Sequence, residues 1–365
     1  MATASRHEAD RHRRVTLADV AARAGVSRST ASRALAGNAR ISRATRALVL
    51  EAAEALAYVP NQTARSLRLR QTRSLGILLS DLADPDHAQF GAGFEQQAAA
   101  AGFSVVVVAA RKRVSDEGRA MRVLQERAID GICIAASSLD PTEVRQVVWP
   151  TPVVVVQPDH PGLVEELDRL PDGIIRSDDV GGVAEAVRHL LAGGYRDIAY
   201  LGVGANATNR VRGEAADRAL REVTGRPMRA FQVEEESWRR PKLVAQALGS
   251  VLPEAVVCYD DKLAIGLLDG LRSRGVRVPD DVAVVGYDGI PFAAFSNPRL
   301  TTVATPTVHM GALAVDFLVE AIETGKLPEA RTVPVELIVR ESSGACRSVE
   351  PAECDLAAGP LEPEP

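Results

Sequence analysis

The sequence predicts a small all-α head joined by a short basic segment to a larger α/β core of two lobes, each a doubly wound parallel sheet. Three observations carry that prediction. Apolar residues recur at helical spacing over the first sixty positions, continuous β-branched runs alternate with amphipathic stretches from Leu75 onward, and charge is divided sharply between the two parts. Residues 1–73 hold 14 Arg, no Lys and 5 acidic residues, a balance of +9, while the remainder carries −14 in a chain of net charge −5. A basic head on an acidic body fits an electrostatic footprint for nucleic acid confined to one small domain, a solvated charged head being the plainer alternative.

At 365 residues and 46% hydrophobic composition the chain is long enough for two or three domains with ordinary buried cores. No window approaches the roughly 18 to 20 uninterrupted apolar residues of a membrane helix, and "MATASRHEADRHRR" lacks the apolar stretch of a signal peptide, so a cytoplasmic protein with no membrane partner is expected. Cys133, Cys258, Cys346 and Cys354 lack metal-ligand spacing and read as ordinary thiols. No metal and no cofactor is expected.

In "TLADVAARAGVSRSTASRALAG" Leu17, Val20, Ala21 and Ala24 fall at i, i+3, i+4 and i+7, giving a first helix opened by a Thr16/Asp19 capping box. Gly25 supplies a tight turn. A second helix from about Ser27 places Ala31, Ala34 and Leu35 inward, so that Arg28, Ser29, Ser32 and Arg33 project from the other side. Two short helices joined in this way, the second with an exposed Arg and Ser face, have the form of a helix-turn-helix whose recognition helix enters the major groove. Arg33 suits a bidentate contact to guanine, while Arg28, Ser29 and Thr30 suit either bases or phosphates. A third helix, about Arg43 to Ala57, is expected to turn Leu48, Ala52, Ala55 and Leu56 inward, and "YVPN" ends it.

The basic segment "QTARSLRLRQTRS" (62–74) has two readings: a flexible linker, or a helix that forms on DNA and wedges Leu67 into the minor groove. Here a resemblance becomes specific. The run from Thr16 through "YVPNQTARSLR" is similar to the head and hinge of the LacI/GalR family of bacterial transcription repressors. The resemblance implies that Arg33 is the recognition-helix arginine, that Asn61 opens the hinge, that Ala64 and Leu67 are hinge residues, and that Thr16, Ser27, Arg28, Ser29, Thr30 and Ser32 lie at the DNA surface.

In the body, "LGILLS", "FSVVVVAA", "DGICIA" and "PVVVVQ" form a first series of strands and "DIAYLG", "MRAFQV", "EAVVCY" and "DVAVVGYD" a second. "LTTVATP", a helix near 307–324 and one final strand, "RTVPVELIVR" (331–340), follow. Together with "GGYRDIAYLG", "CYDDKLAIGLLDGLRSRGVRVPDDVAVVGYDG" and "PRLTTV", this resembles the periplasmic-binding-protein-like core of the same family, in which crossings between two lobes frame a cleft for a small ligand. The expected organisation is a disordered basic N-terminus (1–14), the helix-turn-helix head (15–60), a hinge helix or linker (61–73), the two-lobed effector-binding and dimerisation domain (74–341) and a disordered acidic tail (342–365).

An enzyme is the rival reading, because Gly202, Gly204 and Ala207 in "YLGVGANA", with Glu234 after the next strand, outline a dinucleotide fingerprint. The following "ANATNRVRG" lacks the apolar residues of a closely packed helix, and no GxSxG, HExxH or P-loop occurs, so no enzyme is expected. A transport-type solute-binding protein would carry an export signal and no basic head; this chain has the reverse.

Ligands of parallel sheets bind beyond the carboxyl ends of the strands, here Ser80 to His87, Gln157, Asp178, Gly204 to Arg210, Asp260, Asp261 and Asp288. From these, Asp86, His87, Asp178, Arg210, Asp261 and Asp288 are the candidate effector contacts, the resemblance assigning Arg210 to the family's R-x-x-G arginine and Asp261 to the acid of its N-D pair. A helix-end surface residue and a helix cap are the plainer readings of those two. The chain departs from the family in having "DPDH" at 84–87, Asp179 and Asp260 at positions commonly Asn, and no evident stacking aromatic near 237 apart from Trp238. These departures predict a polar effector, cationic or hydroxyl-rich, with a sugar as what the resemblance itself implies. The expected whole is a homodimeric repressor on a palindromic double-stranded operator at the nucleoid.

Overall fold

The computed structural model describes residues 15–58, 71–110, 114–135, 144–145, 148, 150–159, 171–204 and 206–344. The chain divides into two compact units at Thr72 and Arg73.

Among its described residues the first unit holds three helices, α1 (Leu17–Arg23), α2 (Arg28–Leu35) and α3 (Arg43–Ala55). Asp19 opens α1 by accepting from the Thr16 amide at 2.8 Å and from its hydroxyl at 2.7 Å. The helix stops at Gly25, whose φ of 66° lies where an L side chain is strained. There the Gly25 amide donates to Ala22 O and the Val26 amide to Ala21 O, the paired bonds of a Schellman turn, leaving Val26 against the core. Ser27 and Ser42 cap α2 and α3 by accepting from the amides of Thr30 and Thr45, each at 3.1 Å. Val20, Ala21, Ala31, Ala34, Val49, Ala52 and Ala53 form the core, small enough for three short helices to approach closely. The expected inner face of α3 needs correction: Leu48 is 54% exposed and Ala55 is also exposed, while Val49 and Ala53 are buried.

The second unit contains two six-stranded sheets. The first is ordered β11-β5-β4-β3-β1-β2, from β1 (Ser74–Leu79), β2 (Ser104–Ala109), β3 (Gly131–Ala135), β4 (Val153–Val156), β5 (Ile174–Ser177) and β11 (Arg331–Val333). The second is ordered β12-β10-β9-β8-β6-β7, from β6 (Ile198–Val203), β7 (Arg229–Val233), β8 (Ala255–Cys258), β9 (Ala283–Asp288), β10 (Thr301–Ala304) and β12 (Glu336–Ile338). Every pairing is parallel except β10 with β12. Helices cover both faces of each sheet, which is why β3, β4, β6 and β8 are buried along their whole length and read as unbroken apolar runs. In the first lobe α4 (Pro85–Ala100) and α10 (Thr307–Thr324) pack on one face and α5 (Val114–Glu126) on the other. In the second, α6 (Asp179–Ala192) and α7 (Ala207–Thr224) oppose α8 (Pro241–Ala247) and α9 (Asp261–Ser273).

The chain crosses between lobes three times: after β5, after β10 and between β11 and β12. The last crossing corrects the single strand expected over 331–340. Pro334 has no amide hydrogen to extend the ladder, so β11 ends at Val333 in one sheet and β12 starts at Glu336 in the other. β5 is absent from the expected strands. The folded body also reaches past the expected start of the tail at 342: Ser342 and Ser343 are buried, the Ser342 hydroxyl donating to Val284 O at 2.6 Å and Ser343 Oγ lying 2.9 Å from His189 Nε2. Among the described residues no helix is long and apolar enough to cross a membrane.

Candidate nucleic-acid interface and effector cavity

On α2 the residues facing away from the core are polar. Arg28, Ser29 and Arg33 are exposed, and Thr30 and Ser32 are half-buried. Ser27 Oγ lies 2.9 Å from Ser29 Oγ and 2.8 Å from Thr30 Oγ1, so a hydroxyl cluster sits on the first turn, where unpaired amides also point outward. Arg33 lies back along the helix, its Nε donating to Ser29 O at 3.1 Å and its Nη2 to Ser29 Oγ at 3.3 Å. These bonds are solvent-exposed and exchange readily for contacts to a base or a phosphate. Asn61, Ala64 and Leu67 lie outside the described residues.

In the body a cavity of about 500 Å³ opens at the carboxyl ends of the strands, with walls from both lobes and from the crossing segments. Its polar side chains are placed by helix starts. Asp84 precedes Pro85 and accepts from the Asp86 amide at 3.1 Å; Asp178 accepts from Gly181 N at 2.9 Å; Asp260 accepts from Leu263 N at 2.7 Å. Each carboxylate sits at the positive end of a helix dipole and stands at the cavity wall. Two lining residues, Gln157 and Asp288, hold positive φ values of 49° and 102° just beyond or at a strand end, local strain of the kind that collects at binding sites.

Arg212, on α7, is the principal cation. It is 5% exposed and donates to Asp179 Oδ1 from Nε at 3.3 Å and from Nη2 at 3.1 Å, and from Nη1 to Tyr259 O at 2.7 Å and to Asp288 at 3.4 Å. Its guanidinium lies 3.6 Å from the Tyr287 ring centroid. Burial is the largest single influence and opposes its charge, but Asp179, Tyr287 and Asp288 together outweigh it and hold the guanidinium firmly protonated. Lys262 is the second cation, and its ammonium spans the lobes, paired with Asp84 of the first and lying 3.3 Å from Asp260 of the second. Burial opposes ionisation of Asp84, yet Lys262 and His87 together hold the carboxyl below its ordinary value. A second link across the lobes is made by Asp159, which accepts from the Thr208 amide at 2.9 Å and from its hydroxyl at 3.1 Å at the start of α7.

Asp86, His87, Asp178 and Asp288 line this cavity. Asp86 accepts from the Thr307 hydroxyl at 2.7 Å, and His87 Nδ1 lies 2.9 Å from Asp81 O. Arg210 and Asp261 stand elsewhere, which corrects their assignment as cavity contacts. Arg210 is 41% exposed and lies 3.5 Å from Glu214 one turn along, because two residues on a helix turn the side chain about 200° away from Arg212. Asp261 is fully buried, accepting from the amides of Gly289 and Ile290, each at 2.9 Å, and from Thr302 Oγ1 at 2.6 Å. Burial pushes its carboxyl up to about 7 despite those donors. Arg212, Lys262 and Asp159 are the residues that the sequence reading missed. The second arginine of "NRVRG" was a visible signal for the first; Asp159 left none.

The glycine phrase in "YLGVGANA" does lie between a strand and a helix, β6 and α7. The start of that helix is already occupied by the Asp159 carboxylate and by Asn206, which accepts from Asn209 N at 2.6 Å, leaving no vacant anion cradle for a pyrophosphate.

Residues 16–61 match the family of bacterial regulatory proteins called the lacI family, and residues 187–343 match a periplasmic binding protein-like domain. The chain is 30% identical over 350 residues to the HTH-type transcriptional regulator DegA of Bacillus subtilis (strain 168), covering 90% of this chain and 98% of that one. It is 30% identical over 316 residues to the HTH-type transcriptional repressor PurR of Aliivibrio salmonicida (strain LFI1238), covering 84% and 92% respectively. Among solved structures, the lac repressor dimer bound to operator and the anti-inducer ONPF is similar with a TM-score of 0.80 at 26% identity, covering 91% of this chain and 99% of that one. These relatives are regulators rather than enzymes, and with a helix-turn-helix head and a two-lobed body the chain belongs to the lacI family of bacterial DNA-binding transcriptional regulators.

Proposed function

We propose that this regulator represses transcription by binding a palindromic operator as a homodimer, and that a polar small molecule in the cavity between its lobes changes its operator affinity. The observation that carries this reading is a cavity walled by both lobes in a chain that also holds an exposed Arg and Ser helix face. A ligand filling that cavity binds open and closed arrangements of the lobes with different affinity, and such a difference is what shifts an equilibrium between states that do and do not hold DNA.

In the head, Arg33 reads a guanine, Arg28, Ser29 and Thr30 serve bases or phosphates, and Thr16, Ser27 and Ser32 help seat the helix. Asn61, Ala64 and Leu67 serve the hinge, with Leu67 prying open a central base step. In the body, Asp86, His87, Asp178 and Asp288 contact the effector, with Arg212 in the role the sequence reading gave to Arg210. By likeness to the lac repressor, whose structure carries the ligand ONPF, the effector is a sugar or another polar metabolite. The protein works in the cytoplasm at the nucleoid and catalyses no reaction.

Selection of duplexes from a random pool by the full-length protein, with binding of the winners followed against salt, tests the reading. The expected result is a palindrome with a deformable centre. Enrichment of single, unrelated half-sites would overturn the dimeric mode, and no enrichment with or without metabolite extract would overturn sequence-specific recognition.

A further inference from the structure

The balance of charge in the cavity goes beyond what a neutral ligand needs. Among the described lining residues nine are Asp or Glu, and three are Arg or Lys. Two of the cations are already engaged: buried Arg212 with Asp179, and half-buried Lys262 with Asp84 and Asp260. Asp86 and Asp288 face the same space with much weaker compensation. Asp86 is held by the Thr307 hydroxyl, with His87 and Arg212 acting on it without a direct ion pair, and Asp288 by an Arg212 contact of 3.4 Å. Asp288 also sits on strained backbone at φ 102°, which fixes this carboxylate at the end of β9. Closing a neutral ligand over such a wall leaves carboxylates desolvated without counter-charge, and an anionic ligand is repelled outright.

We propose that the effector is an organic cation, an amine-bearing polyol whose ammonium is held by Asp86 and Asp288 and whose hydroxyls pair with the neutral polar side chains of the wall. Gln157, Asn206, Thr208 and Thr305 supply those neutral groups. An ammonium carries three donors and no acceptor, which suits two acceptor-only carboxylates, and the Lys262 ammonium between Asp84 and Asp260 is a second instance of that chemistry in the same cavity. Burial is the largest influence on both groups and pushes both carboxyls up, against the Thr307 hydroxyl and His87 at Asp86 and against Arg212 at Asp288, where the Asp86 charge adds to the upward push. That is the behaviour of a site short of one positive charge.

The inference rests on the reading of the cavity as the effector site, and its test separates the two. Full-length protein is titrated calorimetrically with a panel of 2-amino-2-deoxyhexoses and aminocyclitols, each beside its neutral hydroxyl counterpart and the corresponding uronic acid. At least one amine is expected to bind tenfold or more tightly than its neutral counterpart. Asp86→Asn is expected to weaken that amine about 30-fold, as loss of one member of a buried charge pair does, and to change the neutral counterpart less than threefold. Asp288→Asn is a second variant with the same expectation. A neutral counterpart or uronic acid binding as tightly as the amine would overturn the cation while leaving the effector site standing, and no binding by any amine would also overturn it. Operator affinity is followed on the same samples. An amine that binds through Asp86 without altering operator affinity would overturn effector control and leave the cation inference intact.

Discussion

Arg210 and Arg212 show how much a shift of two residues matters on a helix. Removing Arg212 strands Asp179 and Asp288 in a wall from which the guanidinium is 5% exposed. Arg212→Ala should therefore cost ~3 to 5 kcal/mol in urea denaturation, the penalty of an uncompensated buried charge. Arg210→Ala should stay within ~0.5 kcal/mol, as exposed positions do; equal effects would remove Arg212 from its structural place. Asp261 gives a pH test. Its folded-state carboxyl is raised to about 7, so the fold holds that proton more tightly than the unfolded chain. The cost of ionising it is absent below about pH 4, grows as pH rises and is complete above pH 7. Asp261→Asn should flatten the fall in Tm between pH 5 and 8 relative to the parent protein, and parallel curves would show that the three donors keep Asp261 ionised throughout. On the head, Arg33→Ala should lose ~1 to 3 kcal/mol of operator affinity and relax base preference at one position; uniform weakening on all sequences would make it a phosphate contact. The sequence placed Asp86, His87, Asp178 and Asp288 at this wall because strand ends are legible as ends of apolar runs. Which of two neighbouring charged residues turns inward was not legible, since the phase of a helix is set by packing partners elsewhere in the chain.

Elements were legible where burial is two-sided or strongly periodic, and less so where they are short. The runs of β3, β4, β6 and β8 announce themselves, whereas β5 is a four-residue strand containing a half-buried Arg176 and offers neither a long apolar run nor clean alternation. In α3 the run Leu48, Val49, Leu50 gives three adjacent apolar choices, and only contact with α1 and α2 selects Val49. The pairing of α4 with α10 shows what packing asks of sequence. A Cβ on Gly311 would stand 2.3 Å from Phe90 O and 2.8 Å from Phe94 N, so these helices meet backbone to backbone. Gly311→Ala would gain roughly 1 kcal/mol of helix propensity. Forcing the two backbones apart costs ~1 to 3 kcal/mol, so the net effect on denaturation should be a loss. A more stable variant would mean that the helices part without strain.

At the scale of the two-lobed body, the Lys262 pairing with Asp84 and Asp260 and the Asp159 bond to Thr208 join first lobe to second through the protein's own side chains. The two links differ in what breaks them. Lys262 is a half-buried ammonium whose loss leaves Asp84 without its main counter-charge, whereas the Thr208 amide is satisfied by Asp159 only while the lobes are closed. Lys262→Gln should therefore shift the body toward an open cleft, and the shift is readable at Thr208 by hydrogen exchange, because its amide then faces water. The expected result is faster exchange at Thr208 with unchanged protection in β6 and β8, whose ladder lies inside one lobe. Unchanged exchange at Thr208 would show that the three chain crossings, and not the ion pair, hold the lobes together. Faster exchange in β6 and β8 as well would mean that Lys262 stabilises the second lobe itself. In the expected case the cleft has its own closing force, and an effector held by Asp86 and Asp288 acts by adding to it.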